Sequence, residues 1–433
     1  MMEYLPILVL VFSFLTLLLI GVPVAWSIAI SSLLTMMVSI PLLSSLTTVS
    51  QRIGTGLDSF ALLAIPFFVL SGQLMNKGGI AHRLIDFAKT LVGSLPGGLA
   101  LINVIAAMLM GSIAGSAMAS ASAMGSILGP EMEKEGYSRE FGAAVNITSS
   151  TVGLIIPPSN VLIVYSLASG GVSIAALFIA GYIPGILTGL LLMIVASLWA
   201  KKKGYKVGKK STLKEVGKTF IKAFPSLTLL FVVIGGIVGG IFTATEASAV
   251  AVLYTLILGF WYKEIKIKNI PEILLDSCST TAIVMLLIGA SMSMSWVMSY
   301  ENIPQDISNL LLSLSDNPII ILLIINLLLL FVGIFMDMTP AVLIFTPIFL
   351  PIISDLGMDP IQFGIVMVLN LCVGLCTPPV GSVLFVGVGV ANTTIEKVVK
   401  PLLPLFFAMI VSLFLVTYIP ELSLWLPRMF GLL

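Results

Sequence analysis

Hydroxyl and amide side chains cluster around two proline pairs that interrupt otherwise apolar segments of the chain. The first pair lies in GLIIPPSN (153–160) and the second lies in GLCTPPVG (374–381). Proline lacks a backbone donor and clashes with the preceding helical turn, so each pair predicts a broken helix. At membrane depth, freed backbone groups are tolerated only where they line a cavity or are buried in protein. We therefore interpret the two breaks as parts of one binding site.

The polar residues near these breaks offer hard oxygen ligands, which suit Na⁺, and half-helix N-termini offer N–H groups to a carboxylate. Serine also allows helices to pack closely, which is the alternative role for part of this set. No Lys or Arg lies within a predicted membrane segment, so an acidic solute must be held by dipoles, hydroxyls and bound cations. The residues predicted to contact the solute are Ser116, Ser149, Ser150, Thr151, Asn160, Thr339 and Asn370.

Two carboxylates fall in predicted membrane segments, Asp337 and Glu246. An ionisable group inside a membrane indicates a functional site by default. Asp337 lies in the polar centre of an apolar segment and is predicted to contact an ion or the solute. Glu246, in FTATEASA (242–249), lies near the end of a span, where a helix cap or an inter-helix hydrogen bond is the alternative role.

Other chemistries have little support in the sequence. The formal net charge of +1 gives nucleic-acid binding no electrostatic basis. No phosphate-binding loop, catalytic triad or fingerprint of an organic cofactor is present. His82 is the single histidine, and Cys278, Cys372 and Cys376 all lie in apolar runs, where packing is their predicted role. The sequence therefore indicates that the protein is not an enzyme.

The composition places these residues in a membrane. Of the 433 residues, 58% are hydrophobic and 9% are charged, whereas soluble domains contain about 25% charged residues. Apolar runs of about 20 residues recur and predict an all-α polytopic membrane protein. The ten predicted spans are 4–20, 23–45, 59–76, 141–168, 173–200, 224–240, 244–262, 280–299, 361–390 and 401–419.

Two further apolar segments, 97–130 (within a hairpin predicted over 97–135) and 318–354, have polar or proline-rich centres. Each is either a kinked spanning helix or a re-entrant hairpin that enters and leaves by one face. With hairpins, 19 of the 21 Lys and Arg residues fall on the cytoplasmic side, leaving Arg52 and Arg428 outside, as the positive-inside rule requires. This topology predicts a bacterial inner-membrane protein with both termini in the periplasm. The first hairpin then opens to the cytoplasm and the second opens to the periplasm.

The chain carries an internal repeat with an offset of about 221 residues. Pro130 matches Pro351, Gly153 matches Gly374, and the first proline pair matches the second. We predict one repeat over 1–222 and another over 223–433, each with three spans, an arm helix, a hairpin, a broken span (141–168 or 361–390) and a final span (173–200 or 401–419). The first repeat ends in the basic cytoplasmic loop 201–222. Five spans per repeat is an odd number, so the second repeat must be inverted, as is typical of secondary transporters.

Amphipathic stretches flank the third span of each repeat. The segments 80–92 and 303–314 follow that span, and similar ones near 47–57 and 264–276 precede it. We interpret them as interfacial arm helices that brace a moving part against a fixed scaffold. His82 is predicted to be interfacial.

Taken together in order and spacing, several motifs resemble one family. They are GSIAGSAMASASAMGSILGPEMEKEGY (111–137) with the first break, FTATEASA, and FMDMTPAVLIFTPIFLPI (335–352) leading to the second break. The chain resembles, over nearly its whole length, the large membrane subunit of tripartite ATP-independent periplasmic (TRAP) transporters.

The resemblance implies Na⁺-coupled uptake of an organic acid by an elevator motion of a transport domain against a scaffold. It also implies a soluble periplasmic binding protein and a small four-helix membrane subunit as partners, with sialic acid as the leading solute and C4-dicarboxylates as the other. Two or more Na⁺ ions are expected. The residues that the resemblance places at them are Ser112, Gly115, Ser116, Pro157, Ser159, Asp337, Thr339, Gly374 and Thr377.

Other functions stay open at this point. A standalone Na⁺/dicarboxylate symporter shares these features but needs no binding protein. A membrane-embedded enzyme would need a paired acid and base or a metal cluster, and one histidine argues against it. A channel would need a continuous polar lane or rings of repeated charges, which the sequence does not show.

Overall fold

A computed structural model describes residues 5–205, 208, 211–315 and 317–433, without the side chains of 81, 112–114 and 312. All regular structure in these described ranges is helical. The first half contains α1 (Leu5–Leu19), α2 (Val24–Ser39), α3 (Leu42–Gly56), α4 (Ala64–Lys77), α5 (Ile80–Val92), α6 (Gly98–Ala114), α7 (Ala117–Lys134), α8 (Arg139–Val152), α9 (Asn160–Ala168) and α10 (Ile174–Lys203). The second half contains α11 (Leu213–Val238), α12 (Ala244–Trp261), α13 (Ile270–Tyr300), α14 (Ile303–Leu314), α15 (Pro318–Phe335), α16 (Met338–Asp355), α17 (Pro360–Leu375), α18 (Ser382–Val390), α19 (Ile395–Tyr418) and α20 (Glu421–Met429).

The predicted all-α membrane architecture is confirmed. Within the described ranges, eight helical segments are long and apolar enough to cross a membrane, and four shorter apolar helices accompany them. Both segments with polar centres fold as two helices joined by a tight tip, α6–α7 and α15–α16. Both proline pairs lie between two short helices, α8–α9 and α17–α18. The hairpins and the broken helices are therefore where the sequence predicts them.

The arm helices depart from the prediction in two places. The span predicted over 23–45 ends at Ser39, and α3 begins directly after Pro41, several residues earlier than predicted. The separate arm predicted at 264–276 is wrong for most of its length, because α13 runs unbroken over 31 residues from Ile270. The glycines of GTGLDS (54–59), which destabilise a helix interior, are replaced in the matching EILLDS (272–277). The second copy therefore continues the helix where the first copy ends it.

The two halves contact each other as a twofold axis requires. Helix α7 packs against α18, and the matching pair α16 and α9 also pack together. Cys372 donates from Sγ to the carbonyl oxygen of Thr151 at 3.1 Å, and these two residues match each other at the repeat offset. A residue contacts its own counterpart only near a twofold axis. The broken helices α8 and α17 therefore cross at that axis.

Glycine pairs allow the hairpins to pack against the broken helices. A Cβ atom on Gly111 would lie 2.6 Å from the Cα of Gly153, and one on Gly374 would lie 2.6 Å from the Cα of Gly333. Distances this short exclude any side chain unless the backbone moves. A close glycine–glycine contact therefore joins α6 to α8 in the first half and α15 to α17 in the second.

The arm helices after the third spans are amphipathic, as predicted. Helix α5 buries Ile80, Leu84 and Ala88 against its neighbours, while His82 is exposed. Lys89 on its polar side pairs with Glu131 of α7 at 2.8 Å. This arm therefore contacts the first hairpin. The short C-terminal helix α20, which packs against α10 and α17, was not predicted.

Candidate functional site

The two hairpin tips place polar residues at the start of a helix. Gly115 ends α6 in the left-handed conformation (φ 61°), which glycine adopts without strain. Ser116 then caps α7, and its Oγ accepts a hydrogen bond from the N–H of Ala119 at 3.3 Å. In the second hairpin Asp337 occupies the corresponding position before α16 and makes no side-chain capping bond. Its carboxylate is therefore available to a ligand.

The two breaks lie close to the tips. In the first break, Ser159 donates from Oγ to the carbonyl oxygen of Leu154 at 2.5 Å and precedes α9. In the second break, Thr377 donates from Oγ1 to the carbonyl oxygen of Val373 at 2.8 Å. The carbonyl oxygen of Gly374 accepts from the N–H of Thr377 at 2.9 Å. Helices α9 and α18 begin just beyond these residues.

A cavity of about 250 Å³ joins the two tips and both breaks. Gly115 and Ser116 line it from the first tip, and Asp337 and Thr339 line it from the second. The ends of the broken helices contribute the apolar residues Leu154, Val161, Leu375 and Val383. The remaining wall belongs to α13, through Thr280, Ile283, Val284 and Leu287. Two tips, two breaks and α13 therefore share one cavity.

The cavity wall suits both a cation and an anion. Within the described part of the chain, Asp337 is the one charged residue that lines it, and no Lys or Arg does. Among the described residues Asp337 takes part in no ion pair. Helices α7 and α16 start at the wall, and a helix N-terminus attracts negative charge. A carboxylate bound there needs no basic side chain, while the oxygens of Asp337, Ser116 and Thr339 offer hard ligands to Na⁺.

Several residues predicted to contact the solute lie away from this cavity. Ser149, Ser150, Thr151 and Asn370 are fully buried between helices and do not line it. Asn160 begins α9, and a Cβ atom on Gly115 would lie 2.5 Å from its Nδ2, so it lies directly behind the first tip. Pro157 is buried within the first break. Ser112 lies in the last turn of α6, and its side chain is outside the described part.

Ser149 and Asn370 connect the broken helices to the hairpins. Ser149 donates from Oγ to Oδ1 of Asn103 on α6 at 3.2 Å. Asn370 donates from Nδ2 to Oδ1 of Asn326 on α15 at 2.8 Å. Each bond lies on the same helix pair as a glycine contact described above. Side-chain hydrogen bonds between helices at membrane depth stabilise packing by about 0.6–2 kcal/mol. Ser149 and Asn370 therefore hold the hairpins against the broken helices.

Replacing Asn370 by alanine distinguishes this bracing role from solute contact. We expect the thermal unfolding midpoint to fall, because Oδ1 of Asn326 loses a buried partner at a cost of about 1–3 kcal/mol. The solute concentration that gives half-maximal uptake should change less than twofold. Thr339→Ala, a matched change on the cavity wall, should leave the thermal unfolding midpoint nearly unchanged. It should raise the solute concentration that gives half-maximal uptake. Wild-type stability together with a large rise in that concentration in Asn370→Ala would contradict the bracing role.

Two other predicted sites have local structural roles. Thr243 and Glu246 form a reciprocal cap at the start of α12, with Glu246 Oε2 2.8 Å from the N–H of Thr243. This is the capping alternative for Glu246. Cys372 and Cys376 are buried free thiols at the crossing of α8 and α17. No cluster of three or more His, Cys, Asp or Glu residues that suits a metal occurs in the described ranges.

The α13 wall of the cavity was missed by the sequence interpretation. Its lining residues lie in an apolar span whose only polar contribution to the cavity is Thr280. The spacing of Thr280, Val284 and Leu287 is that of one helical face. Every packed membrane span shows the same spacing. The spacing therefore does not indicate a binding site unless the neighbours of that helix face are known.

The sequence is similar to known proteins over nearly its whole length. The sequence matches the family described as the DctM component of tripartite ATP-independent periplasmic transporters over residues 11–422. It is 55% identical to the uncharacterized protein YgiK of Salmonella typhimurium over 99% of both chains. It is 37% identical to the sialic acid TRAP transporter large permease protein SiaM of Vibrio cholerae, covering 97% of this chain and 98% of that one. It is 36% identical to the C4-dicarboxylate large permease DctM of Rhodobacter capsulatus, covering 96% and 97%.

A solved structure has the same fold. The YdaH transporter of Alcanivorax borkumensis superposes with a TM-score of 0.63 over 90% of both chains, at 13% sequence identity. Identity this low supports the architecture alone. The family match spans nearly the whole chain and the related large permeases match it end to end. The chain therefore belongs to the DctM component family of the tripartite ATP-independent periplasmic transporters.

Proposed function

We propose that this large permease couples Na⁺ entry to uptake of an organic acid that a periplasmic binding protein delivers. The observation that carries the proposal is the single cavity that both hairpin tips share, with Asp337 beside the helix N-termini. A cation at Asp337 and a carboxylate at the start of α7 and α16 attract each other across that cavity. Occupancy of one site therefore favours occupancy of the other, which is the thermodynamic basis of coupling.

Two Na⁺ sites are proposed, one at each tip. The first comprises Ser112, Gly115 and Ser116 with Pro157 and Ser159 of the first break. The second comprises Asp337 and Thr339 with Gly374 and Thr377 of the second break. The twofold relation of the halves supports two sites, while their chemistry differs because Ser116 in the first tip corresponds to Asp337 in the second. A carboxylate makes the second site the stronger one for a cation.

The solute is proposed to be a sugar acid or a dicarboxylate. The relatives named for sialic acid and for C4-dicarboxylates are 37% and 36% identical to this chain, so overall identity does not rank the two. Sialic acid remains the leading choice and C4-dicarboxylates the second. Both carry a carboxylate, which is the group that the helix N-termini around the cavity suit.

The cavity wall also supports an elevator motion. The hairpins and the broken helices provide one side, while α13 provides the other. The hairpins are held to the broken helices by close glycine–glycine contacts and by buried side-chain hydrogen bonds. These elements therefore move together as a transport domain, and α13 belongs to the scaffold past which they slide.

Reconstitution tests the proposed function. The permease, its small membrane partner and the binding protein are incorporated in or added to proteoliposomes, with radiolabelled sialic acid or succinate as the solute. We expect uptake that needs an inward Na⁺ gradient and stops when a Na⁺ ionophore dissipates it. Uptake by the permease alone would favour the standalone symporter instead. Full uptake without Na⁺ in the presence of all components would contradict Na⁺ coupling.

The proposed topology has its own test. Lys134 and Asp355 end the second helix of each hairpin and match at the repeat offset. In an inverted repeat these two positions face opposite sides of the membrane. We expect a cysteine at 134 to react with an impermeant thiol reagent only from the cytoplasm, and one at 355 only from the periplasm. Cys278, the exposed native cysteine, is replaced by serine beforehand, and labelling of both positions from one side would contradict the inversion.

A further inference from the structure

A second polar cavity lies beside the first hairpin and is separate from the solute cavity. It has a volume of about 290 Å³ and lies between α7, α8 and α18. Asn103, Asn146 and Asn392 line it with amides, and the ion pair of Glu133 with Arg139 at 2.8 Å lies at its edge. It shares no lining residue with the cavity between the tips. In the proposed topology it opens to the cytoplasm.

Unpaired polar atoms connect this cavity to the first tip. Oδ1 of Asn146, Oγ of Ser120 and Oγ of Ser150 are buried without a hydrogen-bond partner among the described residues. Nδ2 of Asn146 donates to the carbonyl oxygen of Ala121 at 2.7 Å, which fixes the register of α7 against α8. A Cβ atom on Gly125 would lie 2.7 Å from the same Nδ2, so Asn146 lies against Ala121 and Gly125 of α7. Ser120 on α7 and Ser150 on α8 lie on the tip side of this contact along their helices. Unpaired buried oxygens therefore occur on both helices of the α7–α8 seam, between the cavity and the tip.

The matching seam of the second half is filled. Phe363, Met367 and Tyr165 occupy the positions that correspond to Gly142, Asn146 and Val386. Tyr165 is fully buried, donates to the carbonyl oxygen of Pro360 at 2.6 Å and lies against Phe363, with ring centroids 6.5 Å apart. Oγ1 of Thr346 donates to the Met367 sulfur at 3.3 Å. The two halves therefore share a backbone but differ in whether this seam is open.

We propose that the open seam of the first half is the cytoplasmic exit of the cation bound at the first tip, and that this exit is separate from the path of the solute. The inference rests on the proposed Na⁺ coupling and adds a route to it. A cation leaving the tip meets oxygens at Ser150, Ser120 and Asn146 before it reaches a space large enough for water. Buried polar atoms without partners are costly unless water or an ion satisfies them, and this cavity exceeds the volume that one water molecule needs.

Gly142→Phe closes the route with the residue that the second half carries at the same position. A Cβ atom on Gly142 meets only Met132, at 3.6 Å or more, so the substitution points into available space. The purified protein is mixed rapidly with Na⁺, or diluted out of it, and tryptophan fluorescence reports the response, with K⁺ as the ionic control. We expect binding and release of Na⁺ to slow at least fivefold, while the half-saturating Na⁺ concentration changes less than twofold. A route affects rates in both directions and leaves the equilibrium unchanged.

Gly389→Phe is the matched control, because Gly389 is exposed on α18, outside the cavity, with no atom within 4 Å of its Cβ position. It should keep wild-type rates. Wild-type rates in Gly142→Phe as well would overturn the exit route, since Na⁺ then reaches the tip through the solute cavity. In that case Na⁺-driven uptake by the wild type would still support the proposed function. A wild type that does not respond to Na⁺ would overturn both.

A second variant avoids filling the cavity. Ser126 lines it and is exposed, so Ser126→Cys in the Cys278→Ser background preserves the packing. A positively charged methanethiosulfonate added from the cytoplasmic side should label it and slow Na⁺ release at least fivefold, and a neutral reagent of similar size should slow it less. Labelling that leaves Na⁺ release unchanged, or labelling only from the periplasm, would overturn the route.

Discussion

Replacing Asp337 by asparagine is expected to abolish Na⁺-driven uptake while leaving the protein folded and inserted. Asp337 directly precedes α16 at the wall of the shared cavity, and its carboxylate makes no capping hydrogen bond. Asparagine keeps the size and the capping ability of the residue but removes the charge. A hydrogen-bonded or coordinated charge contributes about 1.5–3 kcal/mol, which is about 10- to 150-fold in affinity. We therefore expect the half-saturating Na⁺ concentration to rise at least tenfold.

Asp355→Asn provides the matched control, because Asp355 ends the same helix and is exposed. It should leave the Na⁺ dependence unchanged. Na⁺-induced thermal stabilisation of the purified protein gives a second readout that needs no solute, and Asp337→Asn should lose most of it. An Asp337→Asn protein with wild-type uptake and wild-type Na⁺ stabilisation would remove Asp337 from the cation site.

The positions of the hairpins and breaks were predictable because their signals are local and occur twice. A proline pair interrupts a helix wherever it lies, and finding the pair again at the same offset turns an ambiguous kink into a structural element. The position of Asp337 on a cavity wall was predictable for a similar reason, since a carboxylate in an apolar segment has few structural explanations. Its contact with an ion or the solute stays a prediction. These signals require no knowledge of what packs against them.

Which hydroxyls face the cavity was not predictable from the sequence. Successive helix residues point about 100° apart, and both Ser116 and Ser149 lie close to a tip or a break in the sequence. Ser116 caps a helix at the cavity, whereas Ser149 donates a hydrogen bond to Asn103 of α6 and does not line the cavity. The difference depends on a partner 46 residues away, and neither the composition nor the spacing around Ser149 indicates it. The α13 wall was missed for the same reason.

The glycine pairs give a physical reason for one match between the two repeats. Gly153 and Gly374 match in sequence, and the sequence interpretation assigned Gly374 to a cation site by resemblance. The structure gives both glycines a packing role, because each lies against a glycine of the adjoining hairpin. That role and the proposed contact of the Gly374 region with Na⁺ are compatible, since the glycine contact sets how closely the second tip approaches its break.

Replacing Gly374 by alanine is expected to impair transport strongly. The added Cβ would lie 2.6 Å from the Cα and 2.7 Å from the carbonyl carbon of Gly333, both backbone atoms that cannot rotate away. Overpacking of this kind costs about 1–3 kcal/mol, and the relief is a shift of α15 away from α17. Because α15 leads directly to Asp337, the shift displaces the second tip from its break. We expect a fall in the thermal midpoint and an at least tenfold loss of uptake.

The pairing of the halves sharpens this test. Gly153→Ala should produce the same defect at the first tip, because its Cβ would lie 2.4 Å from the Cα of Gly111. Gly389→Ala, with open space around its Cβ, should be neutral or stabilising by up to about 1 kcal/mol, as alanine favours a helix. If Gly374→Ala and Gly389→Ala have the same unfolding midpoint and the same uptake, the glycine contacts do not position the tips. If Gly374→Ala raises the half-saturating Na⁺ concentration more than it lowers stability, the close approach of α15 to α17 is what brings the ligands of the second site together.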